Sequence, residues 1–257
     1  MITWLLIGLV LMLVLFAVVW AIGVKIRNYS FLDAIWSYGV AILAPIYAAV
    51  GPGHPERRWA FTVLGVAWSL RLGTYIFLRV RKHHPQEDVR YEGLRRRWPG
   101  TGMFLVFHEL QAVTVVIFSL PFLLASWRMM PLQIVDMLGL GLVFTALLGE
   151  SLADRQMKRF KSDPANKARV CDTGLWRYSR HPNYFFEFLV WVGFAAASLD
   201  TPHGWITVIC PVLMYYFLTK ITGIPLTEEY ALKSKGDAYR EYQRTTSAFI
   251  PWFPKRV

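Results

Sequence analysis

Seven stretches of this 257-residue chain are apolar over roughly the ~20 residues that a helix needs to cross a bilayer. They run approximately 2–22, 31–50, 59–79, 103–125, 131–151, 183–200 and 203–222. No other feature limits the fold as much. Backbone amides in hydrocarbon must be satisfied within the chain, which leaves helices or closed barrels, and runs of this length read as helices. The expected fold is therefore an all-α integral membrane protein, a seven-transmembrane-helix bundle forming a single domain over 1–257. A content of 55% hydrophobic residues fits that class and not an ordinary soluble domain. The first run begins at residue 2 with no basic flank and no clear cleavage site, so it reads as a retained span, not a signal peptide.

Net charge is +11, and its placement orients the chain. With seven spans, all 28 Lys and Arg residues except Arg57, Arg58, Arg71 and Arg128 fall in the first, third and fifth loops and the tail, which ends in Lys255 and Arg256. The positive-inside rule then predicts a cytoplasmic C-terminus and an N-terminus outside. The two long loops, about 80–102 and 152–181, share the basic side, so the cytoplasmic face is the expected working face. Leu226 to Arg244 reads as a C-terminal interfacial helix broken near Gly236. A basic excess of this kind suits membrane lipid headgroups or a phosphorylated ligand. Nucleic acid is not an expected partner, because no recognisable binding module accompanies the charge. Cys171 and Cys210 fall at different levels, so no disulfide is expected; neither has ligand spacing to a histidine, so no metal is expected. There is no Rossmann glycine fingerprint and no P-loop.

Ionisable groups within spans cost roughly 2.5–3.5 kcal/mol on insertion scales and so face the bundle interior. The candidates are Asp33, Arg71, His108, Glu109, Asp136, Glu150, Asp154 and Glu187. Asp33 and Asp136 fit the ends of spans, where they cost little. Arg71 fits a structural pairing with Glu109 or Glu187. His108, Glu109 and Gln111 either bond between helices or line a cavity. Glu150 and Asp154, four apart, share one helical face. They are either a charge-laced helix end or a carboxylate pair that accepts bonds from ribose hydroxyls or a carboxamide. The most pointed signal is Ser179-Arg180-His181-Pro182-Asn183-Tyr184 followed by Glu187. Pro182 is tolerated in a first helical turn, and the positive end of that helix faces a cationic loop, which makes an anion site. Asn183 and Glu187 lie on one face just inside it and suit a nicotinamide carboxamide.

The Thr173-Gly174-Leu175-Trp176 segment, the 179–184 segment with Glu187, and the tail motifs Ser234-Lys235-Gly236-Asp237-Ala238-Tyr239-Arg240-Glu241-Tyr242 and Ser247-Ala248-Phe249-Ile250-Pro251-Trp252 together resemble the C-terminal region of the steroid 5α-reductase family. The closer likeness is to its bacterial membrane branch, once catalogued as a domain of unknown function. The resemblance implies an NADPH-dependent reduction of the Δ4 double bond of a 3-oxo-steroid, or of a similar enone lipid drawn from the bilayer, in a bacterial inner membrane with a periplasmic N-terminus. The substrate side would be mainly 1–125 and the NADPH side mainly 150–254, and a monomer would suffice. By motif, Asn183 and Glu187 would contact the nicotinamide amide, with Arg180 and His181 at the same mouth. Asp154, Lys161, Arg169 and Tyr178 would hold ribose and phosphates, and Glu150 would serve the adenosine half. Glu228, Glu229, Tyr230 and Arg240 of the tail would close over the cofactor.

Where the animal enzymes carry a Gln-Glu pair and a tyrosine for the substrate carbonyl, this chain has Trp36-Ser37-Tyr38 and Trp68-Ser69-Leu70-Arg71. Tyr38, His108 and Glu109 are therefore the candidates to polarise the carbonyl, with Trp36, Trp68, Arg71 and Gln111 on the substrate side. The Arg-His-Pro-x-Tyr mouth is shared with isoprenylcysteine carboxyl methyltransferases, so an S-adenosylmethionine-dependent methyltransferase is the alternative activity. A non-catalytic scaffold or sterol-binding protein is the alternative without one.

Overall fold

The computed structural model describes residues 1–98 and 100–255; Arg256 of the basic tail lies outside the described residues. Every regular element among them is helical. The α-helices are α1 (Ile2–Ile26), α2 (Leu32–Val50), α3 (Pro55–His83), α4 (Val89–Arg97), α5 (Thr101–Phe118), α6 (Leu120–Trp127), α7 (Ile134–Ser162), α8 (Pro182–Ser198), α9 (Ile209–Tyr216), α10 (Ile224–Lys235) and α11 (Asp237–Thr245). Six helical stretches are long and apolar enough to cross a membrane: α1, α2, α3, α5 with α6, α7, and the run from Gly204 to Lys235. The seventh expected span is α8, which has 17 residues.

Several helices overrun the apolar stretches that announced them. α3 and α7 have 29 residues each, about 43 Å at 1.5 Å per residue, against a hydrocarbon core of about 30 Å. Much of the expected loop 152–181 is thus the charged last third of α7, and the loop 80–102 is shortened by α3 and holds α4. Proline sets both ends. Asp163 precedes Pro164 and His84 precedes Pro85, and each adopts an extended ψ, 115° and 135° respectively; the residue before proline is pushed out of the helical region. Pro121 likewise divides the fourth span. It has no N–H to continue the ladder, and Ser119 closes α5 by donating from its hydroxyl to the Val116 carbonyl at 2.7 Å.

The chain divides into two compact units, Met1–Ile134 with Ser198–Thr207, and Val135–Ala197 with Val208–Val257. In the first, α2 packs along α3, α1 along α5, and α6 against both α2 and α3. Its surface carries the apolar stripe Leu6, Val10, Val14, Val18 and Ile22 of α1, as suits a helix facing lipid. In the second, α7 and α8 form an antiparallel pair in very close contact. A Cβ on Gly139 would stand 2.5 Å from the Ala197 nitrogen, one on Gly193 would stand 2.7 Å from the Gly139 oxygen, and one on Gly149 would meet the Phe186 ring at 2.4 Å. Small residues permit this approach. The tail helix breaks where the composition indicated, at Gly236 with φ 54°, and α10 folds against α11.

Candidate functional site

The second unit builds its polar centre from the motif residues. Gly174 has φ 60°, and any Cβ there would meet the Gln156 side chain at 2.6 Å, so both backbone and space call for glycine. The segment it opens is fastened to α7: Leu175 N donates to Gln156 Oε1 at 3.0 Å and Trp176 Nε1 to the Ala153 carbonyl at 3.0 Å. The Tyr242 hydroxyl of α11 donates to the Trp176 carbonyl. The Thr-Gly-Leu-Trp motif therefore ties α7 to the tail.

Arg180 and His181 are bound to the tail as well. Arg180 Nε donates to Glu228 Oε1 at 2.7 Å, and its Nη1 donates to the Gln243 carbonyl at 3.0 Å and the Thr246 carbonyl at 2.5 Å. His181 Nε2 lies 3.2 Å from the same Glu228 oxygen, and Gln243 Nε2 donates to Glu228 Oε2 at 2.7 Å. Ser179 donates its hydroxyl to the Phe249 carbonyl at 2.8 Å and accepts from His181 N at 3.1 Å. Burial pushes the His181 imidazole below its usual range, against the pull of Glu228. The neutral ring donates Nε2–H to the carboxylate and stacks on Tyr184 at 5.3 Å. The mouth of α8 is thus a clamp: one arginine, one histidine and one carboxylate close α10 and α11 onto it.

Below the clamp, Asn183 and Glu187 occupy successive turns of α8. Glu187 is 5% exposed and accepts from Trp191 Nε1 at 3.1 Å. Asn183 Oδ1 is buried with no hydrogen-bond partner. The buried stripe of α7 runs Gly139, Val143, Ala146, Glu150 and Ala153, one face at helical spacing. The antiparallel register, with Gly149 on Phe186, sets Glu150 at the level between Asn183 and Glu187. Two carboxylates and an amide therefore share one stratum of this helix pair. Asp154, one turn on, is half-buried.

The remaining cofactor candidates stand further out. Lys161, Arg169 and Tyr178 are exposed. Glu229 pairs with Lys233 at 2.5 Å and Arg240 with Asp237 at 2.9 Å, all of them exposed, as is Tyr230. Cys171 and Cys210 are buried and are not joined to each other by a disulfide.

In the first unit, Trp36 meets Trp68 edge-on at 6.2 Å and Phe118 at 5.4 Å. Its Nε1 donates to Thr114 Oγ1 at 2.7 Å, and that hydroxyl donates to the Gln111 carbonyl. Trp36, Trp68 and Gln111 are therefore gathered, and Arg71 follows one turn along α3. The polarising candidates are not gathered with one another. Tyr38 turns to α3, its hydroxyl 3.0 Å from Thr74 Oγ1. His108 is fully buried, edge-on to Tyr29 at 5.4 Å. Its Nδ1 lies 2.6 Å from the Phe104 carbonyl, which only accepts, so the proton sits on Nδ1. His108 Nε2 and Glu109 Oε2 are buried without partners; in its neutral form His108 offers the interior an acceptor, not a donor.

A polar knot that no motif announced forms where α1, α2 and α4 meet. Asn28 Nδ2 donates to the Pro85 and Gln86 carbonyls at 3.2 Å each, and Glu87 accepts from Tyr29 N at 2.7 Å and from Arg95 at 2.8 Å. Asp33 accepts from Arg90 at 2.5 Å and from the Tyr91 hydroxyl at 2.7 Å. Burial raises the Asp88 carboxyl, but bonds from Arg90 outweigh it and hold the group below the usual range. Asp33 is the one member singled out from sequence; alternating charges over 87–95 were the available signal.

A family model described as "Protein of unknown function (DUF1295)" matches residues 19–246. An uncharacterized protein of Schizosaccharomyces pombe, C594.04c, is 26% identical over 95% of this chain and 79% of its own length. That relative is fungal, so the likeness assigns no bacterial host. No solved structure matches.

Proposed function

The chain belongs to the DUF1295 family of membrane proteins, and on that footing we propose that it is an NADPH-dependent reductase of an enone lipid, of the steroid 5α-reductase type. The observation that carries this reading is Asn183 Oδ1, a buried acceptor with no partner, one turn from buried Glu187 and level with Glu150. An unpaired buried amide oxygen costs about 1–3 kcal/mol, and a ligand carboxamide would offset that cost by supplying N–H donors to the oxygen and to the carboxylates. NADPH would bring such a carboxamide together with the hydride. Because Arg180 and His181 already bond Glu228, the clamp would orient the mouth of α8, and the exposed Lys161, Arg169 and Arg240 would meet the phosphates.

On the substrate side, Trp36 and Trp68 would flank an apolar guest, with Tyr38 or a protonated His108 as donor to its carbonyl oxygen. Such a preorganised donor is commonly the larger electrostatic contribution. Counting α8 as a seventh span puts the N-terminus outside and the clamp at the cytoplasmic face.

The test is incubation of the purified protein with NADPH and testosterone or progesterone, with the 5α-dihydro product read by mass. Asn183→Ala and Glu187→Gln are each expected to lower turnover at least about 100-fold, the order of losing one preorganised polar contact. Saturable binding of radiolabelled S-adenosylmethionine with no NADPH binding would refute the proposal in favour of a methyltransferase. Binding of neither would leave the scaffold reading.

A further inference from the structure

The basic residues that stand apart from the cationic face are not scattered. Arg57, Arg58 and Arg128 meet at one end of the first unit, where α2 turns into α3 and α6 ends. The turn 51–54 lies on the end of α6: Gly53 N donates to the Ser126 carbonyl at 2.9 Å and His54 N to the Arg128 carbonyl at 2.8 Å. Pro55 opens α3 there, so the positive end of a long helix faces the same place. Arg57, fully buried, donates to Asp200 Oδ1 at 2.5 Å and Thr201 Oγ1 at 3.3 Å. Arg128 Nη2 stands 3.6 Å from the other Asp200 oxygen, and Arg58 Nη1 donates to the Gly51 carbonyl. Glu56 is exposed, 4.0 Å from His54 Nδ1. Arg58 Nε and Arg128 Nε are buried and have no acceptor.

Asp200 is in ion-pair reach of Arg57 and Arg128. Buried guanidinium donors without acceptors are costly, and an added anion would relieve them. The surroundings indicate what kind of anion. Trp59 is 44% exposed, Met129 64%, Met130 49% and Trp205 70%; tryptophans beside arginines are the pattern of the headgroup level of a bilayer. Arg128 keeps 24% of its side chain exposed, and Arg58 is half-buried, so a headgroup can reach both.

We propose that Arg58 and Arg128 form a binding site for the phosphate of a phospholipid headgroup, with Trp59, Met129, Met130 and Trp205 against its glycerol and acyl portion. The site is independent of the reductase reading. A free phosphate offers the same anion without the apolar part, and the experiment separates the two.

Full-length protein in detergent is titrated with phosphatidylglycerol, with diacylglycerol and with inorganic phosphate, and bound lipid is counted by native mass spectrometry. Saturable phosphatidylglycerol binding is expected, weakened about tenfold or more in Arg58→Gln/Arg128→Gln and retained in Arg58→Lys/Arg128→Lys. Equal retention of diacylglycerol, full displacement by inorganic phosphate at matched concentration, or unchanged binding in the glutamine variant overturns the proposal. Should the double variant fail to melt cooperatively in lipid-free detergent, Arg128→Gln alone is judged by the same outcomes, because it leaves the Arg57–Asp200 pair in place.

Discussion

His181 shows how a single residue joins the stability of the tail to pH. Its imidazole is buried and its pKa lies below the ordinary 6.5, so the folded protein binds fewer protons there than the unfolded chain does. The stability this contributes is full above 6.5 and is lost as pH falls through the depressed value. Thermal melting between pH 7.5 and 5 is expected to fall with pH, and His181→Gln should flatten that slope; an unchanged slope would mean that another group controls it. The role of the motif was only partly legible. Arg180, His181, Asn183 and Glu187 stood out because charge and amide crowd a helix start, a local pattern. That Glu228, 48 residues away, accepts from Arg180 has no local signature, since many carboxylates in the chain are equally plausible partners. Asn28 and Glu87 escaped notice for the same reason: each is ordinary in a loop until a partner 58 residues distant is brought to it.

The α7–α8 pair is where sequence composition and packing meet most closely. Gly139 and Gly193 allow backbone contact that any larger side chain would push apart. Gly193→Leu is expected to destabilise by about 3 kcal/mol or more, by overpacking. Gly141→Leu, whose Cβ would meet nothing within 4 Å, should be close to neutral. Equal melting of the two variants in detergent would contradict this reading of the helix contact. The same pair marks where element boundaries were unreadable. The end of α7 is charged, and hydropathy alone cannot distinguish a charged helix leaving the bilayer from a charged loop. The prolines at 85 and 164 were the better markers of where α3 and α7 stop, because their effect on the preceding residue is steric and independent of solvent.

The molecule divides into two units, and the segment 198–207, although it follows α8 of the second, belongs to the first. Arg57 holds it there through Asp200, 143 residues away. With α8 counted as a span, a cysteine placed at Ser162 in a cysteine-free background should be labelled from the cytoplasmic side of sealed vesicles, and one at His203, beyond α8, from the opposite side. Labelling of both from one side would remove α8 from the spans. Helical class, approximate span positions and the lopsided charge all follow from the sequence alone, because a bilayer tests each ~20-residue run for apolarity where it stands. Which cation closes on which carboxylate, that α10 and α11 fold back on the mouth of α8, and that Arg57 and Arg128 share Asp200 were decided by tertiary structure. Those contacts depend on distances between residues far apart in the chain, and periodicity carries no information about such distances.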